Sequence, residues 1–303
     1  MKTEKKGVTT FNSIPEFHRI LGIAPPDHPL ITVINFEDLG DFAPEISEKA
    51  MYNFYMICLI RRFDGKIRYG QHYFDFDEGQ ISFFSPGQIL SSDNNAREGW
   101  ILIIHPDFLR DYPIGKSIRN FGFFSYEIYE ALFLSEKEER TLDGLAESIA
   151  HECRANTDKY SQNIIVSLIE VLLNYADRFY NRQFLTRKHV NHDLLAKLET
   201  MLADYFDSDQ VAENGLPTVE DIAAQLSVSP HYLSDMLRSV TGFNTQQHIQ
   251  NKLIEKAKQS LAATSLSVGE IAYQLGFSHP QSFNRFFKAK TAVSPLAYRR
   301  SFH

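Results

Sequence analysis

The sequence predicts an α+β chain of two domains: a β-rich N-terminal domain with helices after it, and a C-terminal domain made only of helices. Three observations lead there. At 303 residues the chain is long for one ordinary domain. Its apolar pattern changes from short Ile-, Phe- and Tyr-rich runs to helical steps near residue 126. Its charge is also split. Residues 216–303 hold nine Lys/Arg against five Asp/Glu, a net +4, whereas the preceding 215 residues hold 22 against 33, a net −11. The whole-chain charge of −7, which with a pI of about 5.9 argues against a nucleic-acid partner, therefore conceals two modules of opposite sign.

The composition, 43% hydrophobic and 23% charged, is that of a globular rather than a disordered chain. Cys58 and Cys153 are too few for a disulfide framework or a paired-cysteine zinc site, and read as small buried hydrophobes in a reducing compartment. No apolar region follows the basic start MKTEKKGVTTF, so no secretory signal is expected. The densest apolar runs, Met56–Ile60 and Trp100–Ile104, fall short of the roughly 18 residues of a membrane span. The expectation is a soluble, cytoplasmic protein with no membrane partner.

From about Pro29 to Phe108 the runs Thr32–Phe36, Tyr52–Arg62, Lys66–Phe76, Gln80–Phe84 and Gly99–Ile104 read as strands. Turn signals punctuate them at Asp64-Gly65, Asp77-Glu78-Gly79, Ser85-Pro86-Gly87 and Ser92-Asp93-Asn94. Short strands at this spacing predict a sandwich or small barrel. Between about Tyr126 and Phe184, Leu168, Leu172, Tyr175 and Phe179 recur at three- and four-residue steps, and Ile165, Ile169 and Leu173 widen that face. Such a helix either packs on its own domain or pairs with its twin in a homodimer. Asp193–Tyr205 reads as a further short helix, and the polar stretch Asp207–Gly215 as a linker.

The strongest signal is an internal repeat. Residues 218–229, TVEDIAAQLSVS, align with residues 267–278, SVGEIAYQLGFS, at an offset of 49. The offset becomes 50 where Leu233, Met236, Leu237 and Thr241 face Phe283, Phe286, Phe287 and Thr291. Thr218 with Asp221, and Ser267 with Glu270, have capping-box spacing. Ile222, Ala223 and Leu226, like Ile271, Ala272 and Leu275, give a short helix one buried face. A turn follows, with Gly276 in the second copy, and Ser229 or Ser278 is placed to cap the next helix. Each copy thus reads as a helix–turn–helix whose second helix projects its outer face. Between the copies, Thr245 to about Ala262 reads as one helix roughly 27 Å long. That length can set two reading heads about one DNA turn, ~34 Å, apart on one duplex face.

On these residues the segment 216–303 resembles the double helix–turn–helix domain of the AraC/XylS family of bacterial transcription regulators. The stretches SPHYLSDMLRSVTG (229–242), IAYQLGF (271–277) and FNRFFK (283–288), closed by Ser294-Pro295 and Tyr298-Arg299, carry the likeness. A weaker one covers QISFFSPGQ (80–88), which is similar to the family's cupin-like sensing domain. The resemblance implies a cupin-like β-barrel that senses and dimerises over 1–185, a helical linker over 186–215, and a DNA-binding domain over 216–303. It also implies a homodimer on promoter DNA, with RNA polymerase as a further partner and a small-molecule effector of unknown identity.

The family's pattern places His231, Tyr232, Ser234 and Asp235 on the outward face of the first recognition helix, and Gln281, Ser282, Asn284 and Arg285 on that of the second. Arg285 can give two donors to guanine, and Asn284 or Gln281 can pair bidentately with adenine. Ser229, Arg238, Ser278, Lys288 and Lys290 are the candidates for phosphate contact. Asp235 departs from the basic or neutral residue common in the family and would repel phosphates. Ala292 stands where the first copy has Gly242, at a cost of roughly 1 kcal/mol if that helix end is left-handed.

In the front domain His72 lies between Gln71 and Tyr73, no His-x-His occurs, and His18, His28 and His105 are scattered. No metal and no cofactor are expected. An organic effector would meet Tyr69, His72, Tyr73 and Trp100, for each of which ordinary core is the alternative. No Ser–His–Asp, Cys–His, P-loop or GxGxxG pattern stands out, so no enzyme is expected. The rival readings are a cupin-type metal enzyme with a vestigial DNA-binding tail, and an interaction protein whose basic segment holds an acidic partner.

Overall fold

The computed structural model describes residues 9–38, 49–63, 67–69, 72–74, 79–91, 96–155, 158–208 and 210–302. The chain divides into two compact units, Met1–Gln183 and Phe184–His303.

The first unit runs β1 (Thr9–Phe11), α1 (Ile14–Leu21), β2 (Ile31–Asn35), β3 (Lys49–Tyr52), β4 (Tyr55–Phe63), β5 (Ile67–Tyr69), β6 (His72–Phe74), β7 (Gln80–Phe84), β8 (Gln88–Ser91) and β9 (Ala96–Ile104). After these come α2 (Pro113–Ser117), β10 (Leu132–Phe133), α3 (Glu136–Arg154) and α4 (Ser161–Thr186). Five strands form a sheet in the order β10-β7-β4-β9-β2, three form β1-β3-β8, and β5 pairs with β6. Among the described residues these sheets do not close into the barrel that the sequence suggested.

The central sheet explains the apolar runs. Ile57 of β4 stands between Phe83 of β7 and Leu102 of β9, and residues 100–104 are buried without a break. Alternate side chains serve opposite faces. Met56, Cys58, Ile101 and Ile103 join Phe11, Ile14, Phe17 and Phe54 on one side. On the other, Phe83 meets the rings of Phe123, Phe124 and Tyr180.

Two runs expected as single strands are each divided. Tyr52–Arg62 breaks at Asn53, which leaves the ladder to donate its backbone N–H to Phe11 O (3.0 Å) and its side-chain amide to Asn12 (2.6 Å). Lys66–Phe76 holds the β5–β6 ladder, with Tyr69 opposite His72. Helix α3 is tied to the central sheet by charge. Arg61 pairs with Glu139 and Asp143, and Trp100 Nε1 donates to Asp143 Oδ1 at 2.9 Å. Cys58 is buried and Cys153 half-buried, and burial pushes both thiols up, which leaves them poor nucleophiles.

The second unit is helical: α5 (Lys188–Asp207), α6 (Gln210–Asn214), α7 (Val219–Leu226), α8 (Pro230–Thr241), α9 (Thr245–Ala263), α10 (Val268–Gln274), α11 (Pro280–Thr291) and α12 (Pro295–Arg300). Helix α5 is longer than the sequence suggested, and it packs on α7, α8 and α9. Lys256 of α9 pairs with Asp207 at the end of α5. Within the stretch expected to be a polar linker, Val211 of α6 is buried. Among the described residues no helix is long and apolar enough to cross a membrane.

Candidate nucleic-acid interface

The first copy begins with a reciprocal cap. Asp221 N–H donates to Thr218 Oγ1 (3.1 Å) and Thr218 N–H to Asp221 Oδ2 (3.3 Å). The Thr218 hydroxyl and N–H hold the Asp221 carboxyl below the usual carboxylate range. Ile222 and Ala223 of α7 are buried, and the turn passes through Ser227, a left-handed residue with φ 57°. Ser229 then caps α8 by accepting from Tyr232 N–H at 3.2 Å. Leu233, Met236 and Leu237 of α8 are fully buried, and the helix stops at left-handed Gly242.

The second copy repeats the design with altered parts. Ser267 and Glu270 form the capping box (2.7 and 3.2 Å), and the Ser267 hydroxyl and N–H hold the Glu270 carboxyl down. The turn uses Gly276, φ 77°, where a Cβ would come within 2.9 Å of Val211 O. Helix α11 buries Phe283 and Phe287 fully, while Phe286 is only half-buried. Its cap differs from the expectation. His279, not Ser278, occupies the N-cap position, and no side chain caps it. The extra residue in the second turn moves Ser278 one place too early, and Pro280 in the first turn has no N–H to satisfy. Ala292 ends the helix at φ 64°, in the left-handed conformation that the sequence reading feared.

The outward residues divide unevenly. All four expected on the second recognition helix, Gln281, Ser282, Asn284 and Arg285, are exposed, as are Ser278, Lys288 and Lys290. On the first, only His231 is. Tyr232 was placed on the outward face, yet it is 9% exposed, with its ring edge-on to Phe184 at 5.3 Å. Its position falls on the seam between the buried stripe and the solvent side, and an aromatic ring there gains more by turning inward. Ser234 is half-buried and shares a hydrogen bond with Thr245 Oγ1 at 3.0 Å. Asp235, also half-buried, accepts from Arg238 Nη1 at 2.8 Å. The Ser229 hydroxyl is engaged in its cap.

In the front unit, the side chains of Tyr69, His72 and Tyr73 lie outside the described residues. Trp100 is buried and its indole N–H is already held by Asp143. Leu172 and Phe179 belong to the unit's own core, Leu168 and Tyr175 are half-buried, and Ile164 and Val171 on α4 are exposed, as is Tyr160 just before it. Among the described residues no three His, Cys, Asp or Glu side chains gather as metal ligands would. Sequence reasoning passed over Phe184, whose burial beneath the first recognition helix has no local signature beyond its closing an apolar face.

Comparison with known proteins finds a family described as a helix-turn-helix domain over residues 222–301. The uncharacterized HTH-type transcriptional regulator YfiF of Bacillus subtilis is 31% identical over 139 residues, 46% of this chain and 41% of its own length. The uncharacterized HTH-type transcriptional regulator YijO of Escherichia coli K12 is 33% identical over 86 residues, 28% of this chain and 30% of its own. Among solved structures, the C-terminal domain of AraT, a response regulator from Geobacillus stearothermophilus, is 30% identical, with a TM-score of 0.32 over 36% of this chain and 84% of that one. The chain spans less than half the length of these two curated relatives.

Proposed function

From the premise that residues 222–301 are a helix-turn-helix domain of AraC type, we propose that the protein is a sequence-specific DNA-binding regulator of transcription. One observation carries the proposal: α11 presents Gln281, Ser282, Asn284 and Arg285 together, all exposed, with Lys288 and Lys290 beyond them. The first three offer hydrogen bonds to base edges, Arg285 a two-pronged donor, and the lysines charge for phosphates. Reading is assigned to 216–303 and sensing to 1–185, with 186–215 between them.

The finer parts of the proposal concern the front unit. An organic effector would bind there, around Tyr69, His72 and Tyr73. A homodimer would form through the outer face of α4, where Tyr160, Ile164, Leu168 and Val171 line one groove. Leu172 and Phe179 serve the unit's own core, so the exposed stripe is the better pairing surface. RNA polymerase remains the proposed partner at the promoter.

The deciding experiment incubates the full chain with random-sequence duplexes, enriches the bound fraction and repeats the binding across salt concentrations. A common sequence and an affinity that falls steeply with salt are expected. Binding that is absent, or indifferent to sequence, would overturn the reading. Sedimentation of the full chain, with Ile164→Glu as the variant, tests the dimer.

A further inference from the structure

Each recognition helix is followed by a helix that braces it, and the two braces are built differently. In the first copy the brace is α9 itself, capped by Asn244, whose Oδ1 accepts from Gln247 N–H at 2.9 Å. Ser234 Oγ and Thr245 Oγ1 share the hydrogen bond that joins α8 to the first turn of α9. In the second copy the brace is α12, capped by Ser294, which accepts from Ala297 N–H at 3.2 Å. Six residues, Pro295–Arg300, are too few to hold a helix by local bonds alone. Helix α12 therefore depends on what it packs against, which is α9 and α11.

The repeat shows where that dependence is concentrated. At the offset of 50, His248 and Ile249 of α9 match Tyr298 and Arg299 of α12. Ile249 is fully buried, so the first brace is held at this position by apolar packing. Arg299 instead donates through Nε to Leu261 O at 3.2 Å. Thr264 N–H closes the last turn of α9 on Ser260 O, which makes Leu261 O the first carbonyl beyond the helix's own ladder. A guanidinium there satisfies the carbonyl and meets the negative end of the α9 dipole. Arg299 Nη2 is buried and finds no acceptor among the described residues, so the directed bond is the one from Nε. Beside it, Lys258 of α9 lies over the Tyr298 ring at 6.0 Å, and that ring stands edge-on to Phe287 of α11 at 5.5 Å. The end of α9, helix α12 and the second recognition helix are thus joined in one line of contacts.

We propose that Arg299 is a positioning residue for the second reading head. By tying α12 to the last turn of α9, it fixes where α11 stands relative to α8, and so the spacing of the two half-sites that one chain accepts. Helix α9 is joined to α8 at its first turn and to Arg299 at its last, and it keeps a fixed rise between them. The tie acts through Tyr298 on Phe287, which is fully buried on the inner face of α11. Loosening it lets α11 pivot as a body and broadens the spacing the chain tolerates. The exposed side chains Gln281, Ser282, Asn284 and Arg285 keep their own chemistry.

The inference rests on the DNA-binding reading, and its test uses the full chain on the duplex enriched as above. Arg285→Ala marks the half that the second head reads, and base pairs are then inserted or removed between the halves. The unaltered chain should prefer the enriched spacing. Arg299→Ala is expected to reduce that preference about two- to fivefold, the range that a cation at a helix C-terminus supplies. Arg299→Lys, which keeps the charge without the planar donor, should fall between, and it carries the test if Arg299→Ala fails to fold. A residue that only stabilised the domain would weaken binding equally at every spacing. That result, or no change, would overturn the inference and leave the DNA-binding reading standing, as would an enriched duplex with one half only. Failure of the unaltered chain to enrich any duplex would overturn both.

Discussion

The two helix–turn–helix copies share a frame and differ in what they leave free for a partner. At matched positions the first copy has His231, Tyr232, Ser234 and Asp235, and the second has Gln281, Ser282, Asn284 and Arg285. Three of the first four are engaged by the protein itself: Tyr232 by Phe184, Ser234 by Thr245 and Asp235 by Arg238. In the second copy all four are exposed. The sharpest contrast is a reversal of charge, Asp235 against Arg285. The buried faces say where a recognition helix stands, and the outward side chains decide whether it reads.

The largest expected effect tests the shared frame. Phe283→Ala should cost about 3–5 kcal/mol and Leu233→Ala about 2–5, because each removes a fully buried side chain. Urea unfolding of the full chain measures both. A small cost in one copy and a large cost in the other would show that the two are not packed by the same rule.

Next in size are the readers. Arg285→Ala should cost about 1–3 kcal/mol of discrimination at one base pair, whereas Lys288→Ala should weaken all duplexes evenly and lower the salt slope by about one. If the two variants behave alike, Arg285 is a phosphate contact and the assignment of α11 changes. Asp235→Asn should do the opposite of Arg285→Ala. It frees Arg238 from an exposed ion pair and tightens binding, by under about 1 kcal/mol for such a pair. Looser binding instead would mean that Asp235 itself accepts from a base, and the first head would then be a reader in its own right.

The repeat was legible in the sequence because each part of it is local: caps three residues apart, an apolar face within two turns, a residue suited to the turn. Helix α9 was legible for the same reason. The sheets were less so. Both faces of the central sheet are covered, so its runs carry no alternation to show which strands neighbour which. The bend at Asn53 depends on Phe11 and Asn12, some forty residues away. Helix α1 had a signal that went unread, with Ser13 capping, Pro15 in the first turn and left-handed Gly22 at the end. Tyr232 was misplaced because its partner, Phe184, is distant in sequence. The outward set on α11 could be placed from helical spacing alone, and its four side chains are exposed.

The smallest effects concern an exchange between the copies. Each has two left-handed positions, one in the turn and one at the end of the recognition helix, and each fills one of them with glycine. The first copy has Ser227 in the turn and Gly242 at the end, and the second has Gly276 and Ala292. A residue with a Cβ pays roughly 1–2 kcal/mol in that conformation, and glycine gives back about 0.4–1 through its freer unfolded chain. Ser227→Gly and Ala292→Gly should therefore each stabilise by about 0.5–1 kcal/mol, a rise of a few degrees in thermal unfolding. The reverse changes separate conformation from space. Around Gly242 a Cβ would meet nothing within 4 Å, so Gly242→Ala should lose only the conformational part. At Gly276 a Cβ would also press on Val211 O at 2.9 Å, so Gly276→Ala should lose more. Equal losses at the two sites would mean that α6 yields freely and that its packing against the second turn contributes little.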